Sequence, residues 1–127
     1  MSALRALAVV LSLGVVALDA PRVVYAAETK PAERLHEAAV AAHRAGRLRQ
    51  AIELWRDALK LDANWKYAYN LANTLYESGD GMDAWTTLKR ADELQTPEKY
   101  AGLVAELRSK VRALLFNCLN LLTLRAT

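Results

Sequence analysis

The sequence has few of the residues that build covalent frameworks, metal sites or disordered chains. One cysteine, Cys118, excludes an intramolecular disulfide framework and a zinc site made of clustered cysteines. Five glycines and three prolines among 127 residues, of which 54% are hydrophobic, exclude collagen-like and disordered chains. The formal net charge of +3 is too small to indicate a nucleic-acid-binding protein. The composition therefore favours a folded domain without a nucleic-acid partner.

Patterns of catalytic residues are also missing. No serine–histidine–aspartate order, glycine-rich phosphate loop or His-Glu motif occurs in the chain. The two histidines, His36 and His43, are seven residues apart, which places them about 10 Å apart along a helix. Because that separation is too large for the two histidines to share one metal ion, we expect no metal site. The missing motifs likewise predict no cofactor and no enzymatic activity.

The N-terminal segment, residues 1–27, has the pattern of a secretory signal peptide. A single positive charge precedes an apolar run, residues 7–18, which is shorter than the roughly 20 residues of a membrane-spanning helix. Cleavage after Ala26 would place Val24 at position −3, and cleavage after Ala27 is the second option. We therefore predict removal of residues 1–27 and a periplasmic or secreted mature protein, with an uncleaved membrane anchor as the alternative.

The rest of the chain repeats apolar residues at the spacing of amphipathic helices. No window alternates with the period of a strand. The apolar stripes begin at Leu35, Leu48, Ala68, Ala84 and Tyr100. The sequence therefore predicts an all-α fold of consecutive helices, joined by links so short that neighbouring helices pair as antiparallel hairpins.

Residues with special backbone preferences mark the ends of these helices. Gly46 and Gly79 can adopt the left-handed conformation that terminates a helix, and Asp80 can cap the helix that follows. Pro31 is expected to open the first helix, and Thr96, which precedes a proline, is expected to cap the last one. The breaks in the apolar pattern thus coincide with residues that stop or start helices.

An internal repeat relates two parts of the chain. The shift that carries Gly46 onto Gly79, which we call the repeat offset, also superposes a series of small or apolar residues. The matched pairs are Ala39 with Ala72, Gly46 with Gly79, Ala51 with Ala84, Trp55 with Leu88, Ala58 with Ala91 and Leu61 with Leu94. Alanine-rich helices align some alanines by chance but rarely align both glycines, so the repeat offset indicates two copies of one helical hairpin.

This pattern resembles the tetratricopeptide repeat (TPR) family, whose helix–turn–helix units are about 34 residues long. The stretches GRLRQAIELWRDALKLDAN and AYNLANTLYESGD carry the resemblance, with small residues where two helices approach closely. The resemblance implies a short TPR-like solenoid. Its repeat region, residues 28–97, would contain two hairpins, at about 32–64 and 65–97. A capping helix with an apolar tail would follow in residues 98–127. Because about three repeats are needed for a self-sufficient stack, we expect marginal stability or oligomerisation.

In the tetratricopeptide repeat family, side chains on the first helix of each hairpin line a concave groove that binds peptides. The resemblance therefore implies a non-enzymatic adaptor whose partner is a protein or peptide. Matched by position, the candidate partner-binding residues are His36, His43, Lys66, Tyr69, Asn70, Asn73 and Tyr76. Asn73 offers a donor and an acceptor to a peptide backbone, and Tyr69 and Tyr76 are typical interface anchors. The other interpretation is a solvated helix face without a partner.

The C-terminal segment, residues 112–127, places leucines and one phenylalanine on all sides of a helix, although a terminal cap needs a polar outer face. Three interpretations remain open. The segment docks on a partner or a second copy, it lies on a membrane surface, or the chain is a piece of a longer protein. The alternative to the adaptor is therefore a structural, self-associating or membrane-surface module that works through this helix.

Overall fold

The computed structural model describes residues 29–126, and this part of the chain is all-helical, as the apolar spacing predicts. It forms five α-helices and one 3-10 turn, with no strand among the described residues. The helices are α1 Pro31–Arg44, α2 Leu48–Leu61, α3 Trp65–Glu77, α4 Gly81–Glu93 and α5 Ala101–Arg125, and the turn is Glu98–Tyr100. The signal-peptide and localisation predictions concern residues 1–27, which lie outside the described residues.

The helices pack as two hairpins and one closing helix. Helix α1 packs on α2, and α3 packs on α4. The hairpins are stacked through contacts between α2 and α3, and α5 closes the stack by contacting both α4 and α3. The prediction of stacked helical hairpins followed by a single closing helix is therefore confirmed.

Residues related by the repeat offset occupy equivalent buried positions in the two hairpins. The pairs buried in both hairpins are Ala39 with Ala72, Ala51 with Ala84, Trp55 with Leu88 and Ala58 with Ala91. The alanines are fully enclosed, since larger side chains there would push the packed helices apart. The last matched pair differs, because Leu61 is largely exposed whereas Leu94 is half-buried.

The two hairpin turns have the same backbone structure. Gly46 and Gly79 have φ of 74° and 86°, the left-handed conformation predicted for both. In each turn the glycine N–H donates to the carbonyl three residues back, and the next N–H donates to the carbonyl five residues back. These bonds satisfy carbonyls that a helix end leaves unpaired. The predicted helix starts are also confirmed, since α1 begins at Pro31 and the Asp80 carboxylate accepts from the Asp83 N–H at 3.3 Å.

The junction before α5 corrects one sequence-based prediction. Thr96 does not cap the following helix, because its hydroxyl donates to the carbonyl of Ala91 at 3.0 Å. Gln95, with φ of 57°, takes the left-handed position that glycine occupies in the two hairpin turns. Thr96 therefore completes the end of α4, and the chain becomes helical again only at the 3-10 turn.

Helix α5 continues the register of the hairpins. Val104 and Leu107 lie one repeat offset after Leu71 and Thr74, two buried residues of α3, and both are buried as well. Ala105 and Arg108 also follow buried α3 positions at this offset, but they are exposed and half-buried, respectively. The difference arises because, among the described helices, none packs on α5 in the way that α4 packs on α3. Helix α5 thus has the position of the first helix in a third hairpin.

The final turns of α5 extend beyond the stack. Gly81, the first residue of α4, lies so close to Leu115 that a Cβ at Gly81 would be 3.0 Å from the leucine Cδ2. From residue 116 to residue 126 every residue is exposed. The large hydrophobic residues in this part are Phe116, Leu119, Leu121, Leu122 and Leu124, which are 61–73% exposed. We call residues 116–125 the projecting tail. None of the described helices has both the length and the apolarity to cross a bilayer.

Candidate partner-binding surface

A polar network joins the first helices of the two hairpins. The Oε2 atom of Glu77 pairs with Nε2 of His43 at 2.8 Å, and its Oε1 atom accepts from the Asn73 amide at 2.7 Å. The His43 and Glu77 side chains are 29% and 37% exposed, so the network lies at the surface. Within residues 29–126 the Asn73 carbonyl oxygen has no hydrogen-bond partner. Asn73 is therefore oriented by Glu77 and keeps an acceptor and one N–H for a ligand.

His36 lies in the junction between the hairpins. The indole Nε1 of Trp55 donates to Nδ1 of His36 at 3.0 Å, and the His36 ring is 5.1 Å from the Tyr67 ring. Because an indole N–H can only donate, Nδ1 must be unprotonated and the imidazole neutral. Burial lowers the pKa of His36, Lys66 lowers it further, and two nearby glutamates oppose both. His36 thus connects α1, α2 and α3, and one of its ring nitrogens is already in use.

The candidate residues on α3 differ in their surroundings. Tyr69 and Tyr76 are half-buried and pack against the core, which holds their rings at the surface of the stack. Asn70 is half-buried as well. Lys66 is exposed, and within the described residues no carboxylate lies within ion-pair distance of its ammonium group. This helix therefore presents two anchored rings and one cation that no carboxylate of residues 29–126 pairs with.

Helix α5 contributes a third row of side chains that the sequence interpretation missed. Lys110 Nζ lies 2.7 Å from Glu106 Oε1, and this hydrogen bond raises the pKa of Lys110 and lowers that of Glu106. Tyr76 and Tyr69 of α3 also raise the pKa of Lys110, by smaller amounts than Glu106 does. The two charged residues follow Asn73 and its glutamate partner by one repeat offset. The repeat offset was thus the signal that could have found them.

Together these side chains of α1, α3 and α5 form what we call the first-helix face. It consists of His36, His43, Lys66, Tyr69, Asn70, Asn73, Tyr76, Glu77, Glu106 and Lys110. His43 and Asn73 both contact Glu77, and Lys110 pairs with Glu106 on α5. Lys66 and Asn70 are not part of either hydrogen-bonded group. The arrangement can donate to and accept from a main chain, and it offers two aromatic rings beside that position.

The described interior offers no second kind of site. Every buried side-chain nitrogen or oxygen in residues 29–126 has a hydrogen-bond partner. The same residues contain no group of three His, Cys, Asp or Glu side chains that could hold a metal ion. In comparisons with known proteins, no family model and no curated protein matches the chain.

Proposed function

We propose that this protein is a non-enzymatic adaptor of the tetratricopeptide repeat type, which binds a peptide or protein segment on the first-helix face. The main support is the position of Asn73. Its amide is held by Glu77, which is itself paired with His43 of the other hairpin, so its orientation is set before a ligand arrives. Preorganised polar groups reduce the entropy that is lost on binding.

The proposed mode of binding follows from the groups around Asn73. Its carbonyl oxygen accepts a main-chain N–H of the ligand, and its remaining N–H donates to a main-chain carbonyl. Tyr69 and Tyr76 contribute apolar area at little conformational cost because their rings already pack against the core. With a cleaved signal peptide, the adaptor acts in the periplasm or the cell envelope.

Peptides selected from a displayed library of random dodecamers, with affinities measured by calorimetry, test this proposal. We expect Asn73→Ala to weaken binding about tenfold, the loss of one or two ligand hydrogen bonds, and Tyr76→Ala to weaken it at least as much. Gln50→Ala is the matched control, since it also truncates an exposed amide but lies on α2.

Two results would contradict the adaptor. In one, no peptide is enriched over a selection against an unrelated helical protein. In the other, enriched peptides bind Asn73→Ala as tightly as the parent chain. Far-ultraviolet circular dichroism must show that each variant is folded, because Tyr76 packs against the core.

The projecting tail favours a second candidate function, a structural module that works through its C-terminal helix. Its five large hydrophobic side chains are 61–73% exposed, an unusual state for neighbouring leucines on one helix. Removing residues 113–127 separates the two functions. It should abolish association through the tail and leave peptide binding at Asn73 intact.

A further inference from the structure

Three arginines surround the first hairpin turn. Arg44 is the last residue of α1, Arg47 directly precedes α2, and Arg49 lies in the first turn of α2. All three are exposed, and we call them the turn arginines. No carboxylate of residues 29–126 lies within ion-pair distance of them, whereas Arg56, further along α2, has two carboxylate partners. The charges of the turn arginines are therefore available to a group outside the described part of the chain.

The equivalent positions in the second hairpin carry the opposite charge. One repeat offset after Arg44 and Arg47 lie Glu77 and Asp80. Both acids have a role within the described structure, since Glu77 pairs with His43 and Asp80 caps α4. The repeated fold thus accommodates either sign of charge at these positions, so the hairpin itself does not require arginines at its turn.

Two of the turn arginines lie where a cation costs stability. Arg47 is at the N-cap position of α2 and provides no side-chain cap, and Arg49 follows in a first turn that contains no acidic residue. A helix start carries a partial positive charge, so cations there are unfavourable and an anion would offset them. Residues that break a local rule without a structural gain are expected at functional sites. This cost favours an anionic group as the partner of the turn arginines.

The turn arginines adjoin the first-helix face. Arg44 and His36 line one depression of about 470 Å³ along α1, and Val40 lines it between them. His36 is a member of the first-helix face, and Val40 lies one repeat offset before Asn73, the residue proposed to bind the main chain of the ligand. A segment bound across the first-helix face can therefore continue along α1 onto the first hairpin turn.

The surroundings of the first turn favour a short acidic segment over a broad anionic surface. The two hairpin turns lie at the same end of the stack, because His43 at the end of α1 pairs with Glu77 at the end of α3. The second turn carries the exposed carboxylates of Glu77, Asp80 and Asp83. They would repel a membrane or a nucleic acid that covered this whole end of the stack. A few acidic side chains can contact the turn arginines without reaching these carboxylates.

We propose that the turn arginines bind a few acidic side chains at one end of the segment held by the first-helix face, an inference that rests on the proposed adaptor function. Guanidinium groups bind carboxylates through two parallel hydrogen bonds and stay charged at physiological pH. The charge along α1 is graded, with Glu33 and Glu37 in its first half and Arg44 at its end. The acidic residues are therefore confined to the end of the ligand that reaches the first turn.

The selection from random dodecamers, run on the parent chain and on a variant with Arg44→Gln, Arg47→Gln and Arg49→Gln, tests this assignment. Peptides enriched on the parent chain should contain more Asp and Glu than the unselected library, concentrated toward one end. The excess should disappear on the arginine variant, which should still enrich peptides whose binding is weakened by Asn73→Ala. Because the three arginines are exposed, the variant should unfold at a temperature no lower than the parent chain.

Calorimetry on one enriched peptide measures the size of the effect. Changing its acidic residues to the corresponding amides should weaken binding to the parent chain about tenfold, the combined loss of a few exposed ion pairs. The same change should weaken binding to the arginine variant less than about twofold, because the ion-pair partners are already gone. The difference should shrink between about 0.1 M and 1 M salt, since the screening length falls from about 10 Å to about 3 Å.

The matched control carries Arg34→Gln, Lys89→Gln and Arg125→Gln, which remove the same charge from exposed positions away from the first turn. It should enrich acidic peptides as the parent chain does, and an equal loss of acidic preference would overturn the assignment. Enriched peptides without an acidic excess would overturn it as well and leave the adaptor standing, whereas no enrichment at all would overturn both. If the parent chain floats with phosphatidylglycerol vesicles and the arginine variant does not, the arginines bind a lipid surface and the acidic ligand is ruled out.

Discussion

The two hairpins share a backbone design but differ in what covers their first helices. Ala38 on α1 is exposed, whereas Leu71, its equivalent on α3, is 4% exposed. Ala41 is likewise exposed, whereas its equivalent Thr74 is fully buried. Helix α2 packs against α3, while α1 is the first of the described helices. Equivalent positions in a repeat thus carry large side chains only where another hairpin covers them.

The hairpins also differ in the residue that fills their centre. Trp55 and Leu88 are equivalent and nearly fully buried, at 3% and 1% exposure. The indole N–H of Trp55 needs a hydrogen-bond acceptor when it is buried, and Nδ1 of His36 is that acceptor. Leu88 needs no such partner, and the α3 residue equivalent to His36 is Tyr69. A larger core residue in the first hairpin is therefore accompanied by a polar acceptor.

The largest effects are expected from removing these two central side chains. Trp55→Ala should lower the free energy of unfolding by about 3–5 kcal/mol and Leu88→Ala by about 2–5 kcal/mol, with the tryptophan variant the less stable of the two. The tryptophan change removes more buried area and also leaves His36 without its donor. Urea unfolding followed by circular dichroism measures both. A smaller loss for Trp55→Ala would mean that the first hairpin contributes less to the core than the second.

Substitutions at the equivalent positions Leu71 on α3 and Ala38 on α1 should change the free energy of unfolding by very different amounts. Leu71→Ala should lower the free energy of unfolding by about 2–4 kcal/mol, because it opens a cavity between the hairpins. Ala38→Leu should change it by less than about 0.5 kcal/mol, because that side chain points to solvent. Thermal unfolding of the two variants beside the parent chain measures the difference. Comparable losses would show that α1 is also covered in solution.

A smaller difference concerns the starts of the second helices. Asp80 caps α4 with its carboxylate, whereas the equivalent Arg47 provides no side-chain cap for α2. Asp80→Ala should therefore destabilise the chain by about 1 kcal/mol, and Arg47→Asp should stabilise it by about 0.5–1 kcal/mol. Arg47→Ala is the control that separates the new cap from the loss of the arginine. If Arg47→Ala stabilises as much as Arg47→Asp, the gain does not come from capping.

The smallest effect is a pH dependence specific to the first hairpin. The folded state lowers the pKa of His36 below its ordinary value of 6.5, so the unfolded chain binds this proton more readily. The contribution of neutral His36 to the free energy of unfolding is therefore complete above pH 6.5 and declines as the pH falls below 6.5. His36→Gln should flatten this decline, and the indole N–H resonance of Trp55 should shift with the parent's transition. Equal slopes for parent and variant would contradict this role.

Local sequence signals predicted the backbone well where the residue could serve only one helix end. Both turn glycines and the Asp80 cap are where the sequence placed them. Thr96 was misassigned because two helix ends lie within reach of one hydroxyl. Its side chain satisfies a carbonyl at the end of α4, and Gln95 adopts a left-handed conformation that sequence reasoning reserved for glycine.

The candidate site was predicted less completely than the fold. Asn73 was named from its position in the repeat, but its contact with Glu77 and the pairing of Glu77 with His43 were not. These contacts depend on the distance between α1 and α3, which residue spacing within one helix does not encode. The contribution of Lys110 was missed for the same reason, since it requires α5 to lie beside α3.

Helices, turns and the repeat follow from periodicity and backbone preference, which act over a few residues and can be read along the chain. Which part of each apolar stripe is buried does not follow from these local rules, because it depends on where the neighbouring helices begin and end. The same spacing that buries Val111 leaves Leu122 bare, since α4 begins at Gly81 and α5 continues past it. Likewise His36 accepts a hydrogen bond from Trp55 only because α2 packs beside α1. Contacts between distant residues set these outcomes, and they exist only once the helices are stacked.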